Sequence, residues 1–108
     1  MTTVRLDGAV IDDWESFHVE SRKAFGFPDF YGCTMDAWID CLSYLRDDDG
    51  MSKFRLAPDE VLQIELCNAD ILRQKAPGIL EEIGFCIAII NDRYLDYGEQ
   101  PALELILR

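Results

Sequence analysis

Residues 27–42 read FPDFYGCTMDAWIDCL, which combines an aromatic loop with the beginning of a helix. Thr34 offers a side-chain oxygen for the helix N-cap, and Asp36 lies in the first turn, where the helix dipole favours a negative charge. Apolar residues then recur at helical spacing and define one stripe: Met35, Trp38, Cys41, Leu42 and Leu45. We therefore predict an amphipathic helix that begins after Thr34, ends at about Leu45 and packs this stripe against a core.

The opposite stripe of the same helix carries Asp36, Asp40, Ser43 and Asp47. Asp36 and Asp40 lie one turn apart, and like charges at this spacing destabilise a helix by about 0.2–0.5 kcal/mol. No lysine or arginine on the stripe offsets this repulsion, and the apolar Ile39 borders it. The pattern is typical of a solvated helix face. It also fits an acidic surface that binds a cationic groove in place of phosphate groups.

The segment before this motif predicts one short strand and one helix. Residues 4–6 alternate between apolar and polar and precede an Asp-Gly turn signal. Asp12 or Asp13 can cap a helix over about 13–25, which Gly26 ends. The polar segment 46–60 after the motif predicts an exposed and mobile connection.

The remainder of the chain predicts a strand, two helices and a last strand. Residues 85–90 fit two structures, because their β-branched residues favour a strand while the helical spacing on both sides favours a helix. We adopt the helix, and we interpret its Phe85, Tyr94 and Tyr97 as core residues. The predicted elements are a strand at 61–66, a short helix at 69–75, a longer helix from Pro77 to about Gly98 and a strand at 102–107.

The order of these elements predicts the fold. Helical crossovers between successive strands favour parallel pairing. We therefore predict an α/β fold, a small three-stranded parallel sheet packed with three to four helices. The length of 108 residues fits one domain over residues 1–108.

Composition limits the possible partners. The chain has 21 Asp and Glu residues against 10 Lys and Arg residues, a net charge of −11. Such a surface repels nucleic acid and anionic membranes and favours a basic protein. The sequence has neither a signal-peptide pattern nor an apolar run of about 20 residues, so we expect a cytoplasmic protein.

Signals of catalysis and of metal binding are weak. The four cysteines form no CxxC pattern and His18 is the only histidine, so we expect reduced thiols in the core and neither metal nor cofactor. We interpret His18 as a structural residue, and Asp36 and Asp40 as solvated carboxylates that are poorly suited to acid–base work. Cys33 precedes a helix N-terminus, which favours a thiolate, but the sequence contains no Gly-rich phosphate loop and no GxSxG turn. We predict that the protein is not an enzyme.

The run from Phe27 to Leu42 resembles the barstar family, intracellular inhibitors of secreted bacterial ribonucleases such as barnase. The order of predicted elements is also similar over nearly the whole chain. The resemblance implies that the loop and the helix block the nuclease active site, where their carboxylates contact cations that otherwise hold RNA phosphates. The matching residues are Pro28, Asp29, Phe30-Tyr31-Gly32, Asp36-Ala37 and Asp40-Cys41-Leu42.

Site residues follow from this resemblance by position. Asp40 corresponds to the central phosphate-mimicking acid, Asp36 to a second acid, Phe30 to an aromatic stacking contact and Ser43 to a small hydroxyl contact. The full predicted contact set is Phe30, Tyr31, Asp36, Ile39, Asp40 and Ser43.

Some residues depart from the family pattern. Ile39 replaces an aromatic residue of the best-known member, while Trp38 lies one position earlier on the predicted core face. Tyr44 and Leu45 do not reproduce the family residues that follow the helix contact. Three residues are candidates for the family's additional acid on the last helix: Asp92, Asp96 and Glu99.

The resemblance predicts a cytoplasmic immunity protein that is monomeric when free and inhibits a basic, barnase-like ribonuclease or a related nuclease toxin. The alternative is a regulatory interaction module of the same fold that binds another basic protein through the same acidic face. Inhibition of a nuclease distinguishes the two.

Overall fold

The structure is built on a parallel sheet. It is a computed structural model that describes residues 2–47 and 50–108, and these residues form three strands and four helices. Strands β1 (Thr2–Asp7), β2 (Leu62–Cys67) and β3 (Leu103–Leu107) pair in parallel in the order β1-β2-β3. The register places Ile64 of β2 between Val4 of β1 and Leu105 of β3. The predicted α/β fold with a three-stranded parallel sheet is confirmed.

The helices agree with the predicted order. The predicted short helix over 69–75 is confirmed, and so is the prediction that residues 85–90 form a helix and not a strand. A 3-10 turn at Gly8–Val10 follows β1 and was not predicted. The four helices are α1 (Trp14–Phe25), α2 (Met35–Leu42), α3 (Ala69–Lys75) and α4 (Pro77–Asp96).

Local caps set both ends of α1. The Asp13 carboxylate accepts a hydrogen bond from the Ser16 amide at 2.9 Å, and Ser16 Oγ accepts one from the Asp13 amide at 3.0 Å. This reciprocal capping box satisfies two backbone donors that the helix leaves unpaired. Gly26 then ends the helix in the left-handed region with φ of 68°, a conformation that glycine adopts without steric cost.

Helix α2 begins where predicted but ends three residues before Leu45. Thr34 Oγ1 accepts a hydrogen bond from the Ala37 amide at 3.1 Å, which confirms the N-cap. At the other end, the Tyr94 hydroxyl of α4 donates to the Leu42 carbonyl and accepts from the Leu45 amide, each at 2.9 Å. A side chain from another helix therefore takes the backbone groups that a further turn of α2 would use.

Exposure on α4 differs from the prediction at two of three aromatic residues. Tyr94 is buried, as expected, but Phe85 is 62% exposed and Tyr97 is 77% exposed. The buried stripe repeats every three to four residues through Ile83, Ile87 and Ile90, and Phe85 lies outside it. Tyr97 follows the last residue of the helix.

The connection 46–60 is less exposed than predicted. Leu56 is 3% exposed, and its amide donates to the Leu45 carbonyl at 2.7 Å. The Lys53 amide and Ser52 Oγ both donate to the Phe25 carbonyl, at 2.9 and 2.6 Å. Residues 48 and 49, which belong to this predicted connection, lie outside the described residues.

Trp38 links α2 to α1 in the core. Its side chain is fully buried, its ring lies 5.9 Å from Phe17 and 6.0 Å from Phe25, and its Nε1 donates to the buried Ser21 Oγ at 3.2 Å. The predicted core position of Trp38 is confirmed. Packing of this residue orients α2, so that its opposite stripe lies on the surface.

Replacement of Trp38 by alanine should lower the free energy of unfolding by about 3–5 kcal/mol, because it leaves a large cavity and removes the partner of Ser21. Trp14→Ala is the matched control, since Trp14 is 41% exposed. Urea unfolding followed by circular dichroism measures both, and equal losses would contradict the assigned role of Trp38.

Candidate protein-binding surface

An acidic surface lies on the outward stripe of α2 and the loop before it. We define it by Phe30, Asp36, Asp40 and Ser43. Phe30 is 77% exposed, Asp36 is exposed, and the Asp40 side chain is 56% exposed. Ser43 is half-buried, and its hydroxyl donates to the Ile39 carbonyl at 2.6 Å. These four members of the predicted contact set have side chains that solvent reaches.

The other two members, Tyr31 and Ile39, are each 7% exposed and belong to the core. The expectation that Ile39 borders the acidic stripe at the surface is wrong, because Ile39 belongs to the same hydrophobic core as Trp38 and Leu42. A direct contact of either residue with a partner remains a prediction. In the structure both side chains belong to the hydrophobic core.

Tyr31 anchors the loop that carries Phe30. A hydrogen bond of 2.6 Å joins its Oη to Nδ1 of His18, and its ring lies 4.7 Å from Phe27. Its amide donates to the Pro28 carbonyl at 3.0 Å, which closes a tight turn around Asp29 and Phe30. The exposed Phe30 ring therefore projects from a loop that is packed on both sides.

A cation from α4 reaches the acidic surface. Arg93 Nη1 donates to Asp40 Oδ1 at 2.9 Å and to Ser43 Oγ at 3.2 Å. The two side chains of the ion pair are 44% and 56% exposed, so solvent screens it and its contribution to stability is at most about 1 kcal/mol. Sequence reasoning missed this contact, because Arg93 lies 53 residues from Asp40 and no local pattern pairs them.

Two adjoining cavities extend the surface beyond Ser43. One has a volume of about 230 Å³ and is lined by Ser43, Tyr44, Arg93, Asp96 and Tyr97. The other, of about 200 Å³, shares Ser43, Tyr44 and Tyr97 and adds Asp47, Tyr94 and Glu99. Of the three acids considered for the last helix, Asp96 and Glu99 therefore each line a cavity that Ser43 also lines, whereas Asp92 lines neither cavity. Glu99 follows the end of α4.

The buried His18 has a structural environment, as predicted. It is 4% exposed and stacks on Trp14 with ring centroids 6.1 Å apart. Burial lowers its pKa from the ordinary value of 6.5, because the charged form loses hydration. His18 therefore favours the neutral form in the folded protein.

All four cysteines, each of which lies within the described residues, are free thiols. Cys41 and Cys86 are buried, which fits the predicted core role, and burial raises the pKa of Cys86 to about 11. The core prediction is wrong for Cys33, which is exposed with φ of 53° in the loop before α2.

Neither a metal cluster nor a membrane span is found in the part of the chain that the structure describes. No group of three or more His, Cys, Asp or Glu residues there could hold a metal ion. Within the same residues, none of the helices combines the length and the apolarity of a membrane-spanning segment.

Comparison with known protein families agrees with the fold and with the motif at residues 27–42. The family model described as Barstar (barnase inhibitor) matches residues 1–106. This chain therefore belongs to the barstar family, a family of inhibitors rather than enzymes. No curated protein matches the chain.

Acidification should destabilise the protein through His18. Its folded pKa lies below the unfolded value, so the unfolded state binds the proton first and stability falls as the pH drops below about 6.5. Urea unfolding at pH 7.5 and 5.5 measures this loss. His18→Gln keeps a polar group near Tyr31 but does not titrate. An equal loss in the variant would show that other groups cause it.

Proposed function

We propose that this chain inhibits a basic, barnase-type ribonuclease by inserting the acidic surface into the nuclease active site. The observation that carries this proposal is the exposure of Asp36 and Asp40 on one stripe of α2, next to the exposed Phe30, in a chain of net charge −11. Membership in a family of barnase inhibitors supplies the class of target.

The two carboxylates act as substitutes for RNA phosphates. Each carboxylate can accept two hydrogen bonds, and arginine guanidinium groups bind such acceptors in a bidentate manner. A ribonuclease active site holds cations for the substrate phosphates, so Asp40 and Asp36 can occupy the same cations. Because the nuclease groove then lies under α2, RNA is excluded from it.

Long-range attraction brings the two proteins together. A charge of −11 steers a basic partner toward the inhibitor and raises the association rate, and added salt screens this attraction. Inhibition should accordingly weaken as the ionic strength rises. We propose that one inhibitor binds one nuclease in the cytoplasm and so protects the producing cell.

Phe30 supplies the apolar part of the contact. The Tyr31 anchor holds its loop before binding, so little conformational entropy is lost when the ring is buried against the nuclease. Aromatic anchors of this kind dominate many protein interfaces.

Asp40→Ala should weaken binding to a barnase-type ribonuclease at least about thirtyfold, and Asp36→Ala should weaken it less. Truncating one member of a buried interfacial charge pair costs about 2–5 kcal/mol, a general range that already includes measurements on barnase and barstar. Asp59→Ala is the matched control, because it removes the same charge from an exposed loop elsewhere. A ribonuclease inhibition titration gives the apparent Kd of each variant.

Two results would contradict this proposal. Inhibition that Asp40→Ala and Asp36→Ala leave unchanged would exclude the acidic surface as the contact. Absence of inhibition, together with binding to another basic protein, would favour the interaction module instead.

Phe30→Ala should weaken inhibition by more than about tenfold while leaving the free energy of unfolding within about 0.5 kcal/mol, since the ring is 77% exposed in the free protein. Inhibition titration and urea unfolding of the same preparation measure both quantities. A large loss of stability would show that Phe30 supports the fold instead.

A further inference from the structure

Arg93 pairs with Asp40, the carboxylate that the proposed function assigns to a cation of the nuclease. Its Nη1 binds Asp40 Oδ1 at 2.9 Å and Ser43 Oγ at 3.2 Å, so one donor group contacts two residues of the acidic surface. A second guanidinium that approached Asp40 would meet a like charge and a carboxylate whose Oδ1 already accepts a hydrogen bond. Binding at Asp40 therefore requires Arg93 to share the carboxylate or to leave it.

The structure provides a place to which Arg93 can move. Arg93, Asp96 and Tyr97 line the same cavity of about 230 Å³. Asp96 follows Arg93 by three residues on α4, a spacing at which helical side chains are neighbours and opposite charges attract. The exposed ring of Tyr97 adds an aromatic face on which a guanidinium can stack. The ion pair itself is about half exposed, so solvent can reach the guanidinium as it moves.

We infer that Arg93 is a displaceable internal ligand of Asp40 that competes with a partner's cation for this carboxylate. In the free protein it holds the carboxylate, and when a partner's cation takes Asp40 it moves into the cavity beside Asp96 and Tyr97. This inference rests on the proposed function. Its consequence is a lower affinity at Asp40, because part of the free energy of the new contact offsets the loss of the Arg93–Asp40 pair.

Arg93→Gln removes the guanidinium and its charge but keeps a polar side chain. We expect it to bind a purified barnase-type ribonuclease about two- to fivefold more tightly, the range given by an exposed ion pair of up to about 1 kcal/mol. Arg73→Gln is the matched control, since it removes the same charge and breaks another exposed ion pair, Arg73–Asp70 at 3.1 Å. It should leave the Kd within about twofold.

A double-mutant cycle tests where Arg93 goes. Asp96→Asn should weaken binding of the otherwise unchanged protein, because the displaced guanidinium loses its carboxylate. In the Arg93→Gln background, Asp96→Asn should leave the Kd unchanged, since there is no longer a guanidinium for Asp96 to bind. Thermal unfolding of each variant verifies that these exposed substitutions leave the fold intact.

The outcomes separate this inference from the proposed function. Equal or weaker binding of Arg93→Gln would overturn the inference, because Arg93 would then position Asp40 or contribute nothing. An equal effect of Asp96→Asn in both backgrounds would overturn the proposed destination, since Asp96 would then contact the nuclease itself. If Asp40→Ala abolishes inhibition in these experiments, the proposed function stands whichever result is found for Arg93. If no variant binds the nuclease, the proposed function fails, and the inference fails with it.

Discussion

The hydroxyl of Tyr94 is the interaction on which the arrangement of α2 and α4 depends. It donates to the Leu42 carbonyl and accepts from the Leu45 amide, so it ends α2 and ties this end to the long helix. Burial raises the pKa of Tyr94 to about 12, and the hydroxyl therefore keeps its proton at neutral pH and remains a donor. The end of α2 places Ser43 at the edge of the acidic surface and turns the chain toward residues 46–60.

A buried arginine completes this junction. The Arg46 side chain is 5% exposed, and its guanidinium lies 5.2 Å from the centre of the Tyr94 ring. Its Nη1 donates to the Gln100 carbonyl at 2.7 Å, and its Nη2 donates to the Glu60 carbonyl at 3.0 Å. These bonds join the end of α2 to the segments that lead into β2 and β3. The helix that carries Asp36 and Asp40 is thereby connected to two strands of the sheet.

The acidic surface itself combines repulsion with one internal cation. Helix α2 carries Asp36 and Asp40 at a spacing that destabilises an isolated helix, and packing of Trp38 against α1 outweighs this small cost. Arg93 then relieves part of the repulsion from outside the helix. A surface of this kind retains a strong negative field while its central acid is already paired.

The sequence by itself determined the elements, the fold class and the family motif, because caps, turn residues and hydrophobic period act over a few residues. Thr34, Asp13 and Gly26 have the predicted capping roles, and the apolar spacing on both sides of residues 85–90 correctly indicated a helix there. Only the tertiary structure decided the early end of α2, the burial of Ile39 and the pairing of Asp40 with Arg93. The end of α2 and the pairing of Asp40 depend on two side chains of α4, Tyr94 and Arg93, and the distance along the chain between the two helices leaves no local signal of these contacts. The burial of Ile39 depends on how α2 packs into the core.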